Sequence, residues 1–238
     1  ALVLTLIFVP FSMKTFILLL ATFGFGAIGF IDDFRKLILK RSLGLTAKQK
    51  IILQVALSFL IAILCFIFQN DTITKLWIPF TDIRLNVSIL GIPIMMFIMI
   101  GTSNAVNLTD GLDGLSTQVS IPVFLTFIIL SQNIEDELFA SIMLGSVLGF
   151  LFYNSNPASV FMGDTGSMAI GGAVVGLAIN MGITLFLIIL GGVYVAEALS
   201  VIIQVASYKF RNKKRIFLMT PIHHHYELKG YKEPKIVT

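Results

Sequence analysis

The chain is poor in cysteine. Cys65 is the only one and stands in an apolar run, which excludes an intrachain disulfide and any metal centre built on cysteines. Charge is scarce too: 13% of the 238 residues are Asp, Glu, Lys or Arg, roughly half the share usual in soluble domains. Histidine is confined to one run, His223-His224-His225, so the i, i+4 histidine pair of a helical zinc site is missing. The first ten residues are apolar but lack the basic start and cleavage pattern of a signal peptide. What the chain does have is hydrophobic side chains, 56% of the total, with a mean hydropathy of +0.93. That composition belongs to an integral membrane protein whose surroundings are a lipid bilayer; nucleic acid is not an expected partner.

Apolar cores fall at 14–31, 51–68, 89–103, 115–130, 138–153, 168–181 and 183–208. Several are shorter than the ~20 residues of a crossing helix and must borrow from their flanks. The run from Met168 to Tyr208 would make one helix of about 60 Å, twice the hydrocarbon thickness, so a break is expected near Asn180-Met181-Gly182. Seven complete spans result. Residues 1–10 end at Pro10 and read as the tail of an earlier span, so a longer native protein is expected.

Charge tests the count. Arg35, Lys36, Lys40, Arg41, Lys48 and Lys50 follow the first span, and Lys209, Arg211, Lys213, Lys214, Arg215, Lys229, Lys232 and Lys235 follow the seventh. Six spans lie between, so both groups share a side that the positive-inside rule makes cytoplasmic. The same parity puts residues 104–114 and 154–166 there. On the other side, alternation over 74–90 predicts a small extracytoplasmic β-hairpin. The expected fold is an all-α, polytopic bundle forming a single membrane domain over 1–238. Gly145/Gly149 and Gly172/Gly176 are expected where helices pack closely.

Polar residues interrupt this pattern at several places. Asp32-Asp33 are expected to close the first span, where the helix dipole disfavours anions unless Arg35 and Lys36 compensate; neighbouring side chains point about 100° apart, which suits two different jobs. Asn104, Asn107, Asp110 and Asp113 recur every third residue, with Gly111 and Gly114 among them. A regular helix would fan this series, whereas a glycine-broken segment could gather it on one side. Asp164 opens the sixth span: an ordinary helix cap, or a carboxylate for a cation bridging to phosphate. Asn154 and Asn156 with Pro157 read as turn residues unless a site claims them. His223 to His225 suit phosphate binding or proton transfer better than metal ligation. Glu197 is the one acid deep inside a span, either functional or hydrogen-bonded to a neighbouring helix. Carboxylates without thiolates point to Mg²⁺ or Mn²⁺, and basic residues near a membrane to phosphate. A metal neutralising a diphosphate under attack by another phosphate is chemistry done largely by positioning and electrostatics.

Asp32-Asp33-Phe34-Arg35-Lys36, Asn104 to Leu115, Phe161 to Ser167 and the run Pro221 to Gly230 (PIHHHYELKG) resemble, in order and spacing, the MraY translocases, the phospho-N-acetylmuramoyl-pentapeptide transferases of bacterial cell-wall synthesis. The resemblance implies transfer of phospho-MurNAc-pentapeptide from UDP-MurNAc-pentapeptide to undecaprenyl phosphate, giving lipid I and UMP, with Mg²⁺, in the bacterial cytoplasmic membrane. It implies Asp164 as metal ligand and Asp32 and Asp33 as the aspartate pair. One of that pair, Asp32 by preference, would deprotonate the lipid phosphate; a covalent phospho-enzyme is the alternative. Asn107, Asp110 and Asp113 match nucleotide-site and catalytic positions, Phe161 the aromatic that stacks on uracil, and Asn154 a polar pocket position. His223, His224 and His225 match the phosphate-contacting motif, and Lys36 and Lys48 basic positions of the site. A homodimer is implied as well. Against the family's ten spans, the first, most of the second and the last are expected to be missing. The rival readings are a sister transferase moving N-acetylglucosamine 1-phosphate onto a polyprenyl phosphate, and an ion or metabolite transporter. Transporters place polar groups near the bilayer midplane, where only Glu197 lies.

Overall fold

A computed structural model describes residues 1–40 and 44–238; Arg41 of the first basic loop lies outside the described residues. Helix α1 (Leu2–Phe8) ends before Pro10, and α2 (Met13–Leu39) starts at Ser12, whose hydroxyl accepts the Thr15 N–H. Thr46 and Gln49 form a reciprocal capping box that opens α3 (Ala47–Phe68). Then come α4 (Asn70–Thr74), strands β1 (Lys75–Trp77) and β2 (Arg84–Asn86), α5 (Gly91–Thr109), α6 (Leu115–Leu130), α7 (Ile134–Asn154), α8 (Gly163–Asn180), α9 (Leu187–Leu190), α10 (Gly192–Phe210), α11 (Ile222–Leu228) and α12 (Glu233–Val237). The expected hairpin is present, antiparallel, with Leu76 opposite Leu85. Phe186 packs against the rings of Trp77 and Phe80 and ties it to the bundle.

Seven helices, α2, α3, α5, α6, α7, α8 and α10, coincide with the seven expected spans. Five of them (α2, α3, α5 with its leading 3₁₀ turn, α7, α10) are long and apolar enough to cross a membrane, while α6 is a shorter apolar helix. Helix α8 has a different reason for its modest apolarity. Nearly all of it from Ser167 to Asn180 is buried, so neighbouring helices rather than lipid surround it. Small residues let those neighbours approach. A Cβ on Gly172 would lie 2.4 Å from the Ala21 carbonyl oxygen of α2, and one on Gly29 would lie 2.1 Å from the Asp164 carbonyl oxygen. The expectation for Gly172/Gly176 is met. That for Gly145/Gly149 is not, because nothing lies within 4 Å of a Cβ at either position. The spacing grooves a helix, and only the tertiary arrangement decides whether a partner enters the groove.

The long run breaks where expected. Helix α8 ends at Asn180, Gly182 takes φ +68, and a 3₁₀ turn (Thr184–Phe186) and α9 precede α10. The last span is therefore continuous only over Gly192–Phe210, shorter than the expected 183–208. The Asn180 side-chain amide donates to the Lys14 carbonyl and to Asp136 Oδ1, both at 3.1 Å, and its oxygen accepts from Gln69 at 3.1 Å. The start of α2, end of α3, start of α7 and end of α8 thus meet at one end of the bundle, the up-down alternation that the span count requires. The opposite end holds the polar motifs.

Candidate active site

Helix α2 runs on to Leu39, so Asp32 and Asp33 do not close it as expected but lie about two turns inside, where the unsatisfied carbonyls of the helix end are distant. Lys36 supplies the expected compensation and Arg35 does not: Lys36 Nζ is 2.6 Å from Asp32 Oδ2, whereas Arg35 turns to Gln49. Asp32 is buried, and its Oδ1 accepts the Leu45 N–H at 2.7 Å. Asp33 points elsewhere, as adjacent helical positions must. Its Oδ2 accepts the Thr165 N–H at 2.9 Å and the Thr165 hydroxyl at 2.7 Å.

Asp33 therefore caps α8 from a neighbouring helix, which leaves Asp164 free of that ordinary duty. Asp164 Oδ1 accepts the Asn107 amide at 2.9 Å, and its Oδ2 meets Lys50 Nζ at 2.8 Å and Lys36 Nζ at 3.3 Å. One oxygen each from Asp32, Asp33 and Asp164 lies within 4.8 Å of the others. Three carboxylates so close repel one another, and two ammonium groups offset this. Close-set carboxylate oxygens with no sulfur among them fit a hard divalent cation.

Lys50 is a site residue that the sequence reading missed. Lys48, matched by the resemblance, is exposed and forms no ion pair among the described residues, whereas Lys50 reaches Asp164. Two positions apart on α3 they point about 200° apart, so only one can face the site. Helical phase from the capping box shows that the two diverge, but not which one faces the site.

The every-third series splits. Asn104 exchanges hydrogen bonds with Gln54, and Asn107 bridges Asp164 and Ser167 at 2.9 Å each. Helix α5 then ends, and Asp110 stands at its C-cap. Burial first, and then the carboxylates of Asp164 and Asp33, push its pKa up to about 6. Asp113 faces the other way: its Oδ2 accepts the Ala158 N–H at 2.9 Å and the Asn156 amide at 3.2 Å. Asn154 is buried, accepts the Thr117 hydroxyl at 2.6 Å and donates to the Val160 carbonyl at 3.1 Å. Both brace the segment between α7 and α8, which holds out the Phe161 ring, 76% exposed.

The histidines diverge. His223 is buried, with Nδ1 3.0 Å from Glu197 Oε2. His224 Nδ1 bonds to Glu227 Oε2, and His225 Nδ1 accepts the Leu218 N–H at 3.1 Å. Glu197 thus has the neighbouring-helix partner that one of its two readings anticipated.

Residues 15–182, from α2 through α8 and including all five site aspartates, match the family model described as glycosyl transferase family 4. The phospho-N-acetylmuramoyl-pentapeptide-transferase of Clostridioides difficile is 54% identical over 218 residues, 90% of this chain and 67% of the relative. The chain belongs to the phospho-N-acetylmuramoyl-pentapeptide-transferases. Similar members of these transferases come from Halalkalibacterium halodurans, 48% identical over 95% of the chain and 70% of the relative, and from Caldanaerobacter subterraneus subsp. tengcongensis, 47% identical over 98% and 73%. Among these transferases, then, the chain corresponds to between two thirds and three quarters of a relative's length. Glu197 and the histidines fall beyond the stretch matched by the broader family model.

Proposed function

We propose that the protein transfers phospho-MurNAc-pentapeptide from UDP-MurNAc-pentapeptide to undecaprenyl phosphate, releasing UMP and forming lipid I, with Mg²⁺, at a site facing the cytoplasm of a bacterial inner membrane. The observation that carries this reading is the joining of three carboxylates and two lysines at one end of a hydrophobic bundle. An oxygen of the lipid phosphate attacks the β-phosphorus of the nucleotide, the bridge to the α-phosphorus breaks, and UMP departs with the bridging oxygen. Asp164 and Asp33 are the carboxylates that would hold the ion. When bound, a divalent ion neutralises diphosphate charge and favours departure of UMP.

The remaining work belongs to side chains. Asp32, fixed by the Leu45 N–H and beside Lys36, takes the proton of the acceptor phosphate. Lys36 and Lys50, which lie on the carboxylates, are the cations that would pair with phosphate oxygens. Asn107 orients Asp164. Phe161 offers a bare ring for uracil, on a segment that Asn154 and Asp113 hold still. A homodimer accords with the family resemblance.

Purified protein given both substrates is expected to release UMP and build a lipid-linked product only with Mg²⁺, and EDTA is expected to stop it. Turnover of UDP-GlcNAc in preference to UDP-MurNAc-pentapeptide would move the protein to the sister transferases and end this reading.

A further inference from the structure

Glu197 lies on α10 and His223 in the first turn of α11, both almost fully buried, at 3% and 1% exposure. Glu197 Oε2 is 3.4 Å from the His223 backbone nitrogen and 3.0 Å from its Nδ1. An oxygen already accepting a backbone N–H is an acceptor for the ring as well, so Nδ1 carries the hydrogen and the tautomer is fixed. Nε2 is buried and has no hydrogen-bond partner among the described residues. The ring lies close against Gly111, where a Cβ would lie 2.2 Å from Nε2 and 2.6 Å from Cε1. Only glycine leaves room for the ring, and Nε2, buried as it stands, is out of reach of a phosphate oxygen.

We infer that Glu197 and His223 are positioning residues: the carboxylate holds the imidazole as a wedge against Gly111 and so fixes where the 110–114 turn stands. That turn has two ends of consequence. Asp110 precedes Gly111 and feels the charges of Asp33 and Asp164, while Asp113 follows and anchors the segment bearing Phe161. One buried ring therefore sets both the metal side and the nucleotide side of the pocket. This assigns contact with substrate phosphates to His224 and His225 rather than to His223. The catalytic part of the inference rests on the function proposed above; the wedge itself does not.

The test is a double-mutant cycle between Glu197 and Gly111 in purified full-length chain, read by UMP release and by thermal unfolding. Glu197→Ala and Gly111→Ala are each expected to lower kcat about tenfold or more, and the double variant no further than the worse single one, because both act through one ring. Glu197→Gln, which keeps an acceptor oxygen, is expected to remain within about threefold of the parent. The acid limb of the pH–rate profile is expected to stay in place in every variant. Additive losses, or an acid limb that moves in Glu197→Gln, would overturn the inference. If Glu197→Ala does not fold, the cycle is run with His223→Ala and Gly111→Ala, which meet at the same contact. If the parent releases no UMP with either nucleotide sugar, the proposed function fails alone; the shifts in unfolding temperature still decide the wedge, with non-additivity for it and additivity against it.

Discussion

At the scale of single residues, what each carboxylate does follows from its partners. Asp164 is the one whose two oxygens are both turned into the cluster, so Asp164→Ala is expected to cut Mg²⁺-dependent turnover at least a hundredfold while far-UV circular dichroism stays unchanged. Asp110 is in the opposite position, near like charges and without a side-chain hydrogen bond among the described residues. Its folded pKa of about 6 exceeds its unfolded value, so the folded state holds the extra proton between about pH 4 and pH 6 and loses stability as pH rises through that window. Asp110→Asn is therefore expected to melt higher than the parent at pH 8 in the absence of divalent ions, by on the order of 1–2 kcal/mol, and no higher at pH 4. A melting series against pH measures this; an advantage that grew toward acid would refute it. Lys50→Met is expected to impair turnover well beyond Lys48→Met, since of these two only Lys50 reaches Asp164. The motif identified the aspartates, but choosing between two nearby lysines required knowing which side of α3 meets α8.

At the scale of elements, glycines that look alike in the chain differ in consequence. A methyl at Gly172 would collide with the Ala21 carbonyl oxygen, and such overpacking costs about 1–3 kcal/mol. Gly149→Ala meets nothing within 4 Å and gains helix propensity, so it is expected to be neutral or mildly stabilising. Thermal unfolding in detergent compares the two directly, and equal effects would mean that α8 does not sit where it is described. Hydrophobic periodicity located these helices, because lipid demands long apolar runs. It did not locate their ends. Helix α2 passes through two aspartates and a lysine to Leu39, since Lys36 pairs with Asp32 one turn away and a residue 13 positions further on, Leu45, satisfies Asp32 from outside. The broken entry to α10 has a comparable origin: Gly182 turns left-handed, and the short pieces before Gly192 pack against the hairpin through Phe186.

At the scale of the whole molecule, the two ends of the bundle serve different purposes. The end bearing Asn180 is held by polar contacts among four helix termini, and its loss should cost stability rather than chemistry. Asn180→Ala leaves the Asp136 and Gln69 side chains each short of a partner, which costs about 1–3 kcal/mol for each buried group, and KM for the nucleotide sugar is expected to stay where it was. The other end spends stability on crowding Asp32, Asp33 and Asp164 together beside Asp110. Composition determined that this chain inhabits a bilayer, and the order of its apolar runs that it is a multi-span helical bundle with the motif aspartates at one end, because burying apolar surface and keeping charge in water leave few alternatives. The ordered motifs added the family. What only the tertiary structure decided is which polar groups meet: that Asp33 rather than Asp164 caps α8, that Lys50 enters, and that Glu197 clasps His223. Such pairings join residues more than a hundred positions apart, or on different helices, and depend on helix phase and close approach, which no local pattern along a chain encodes.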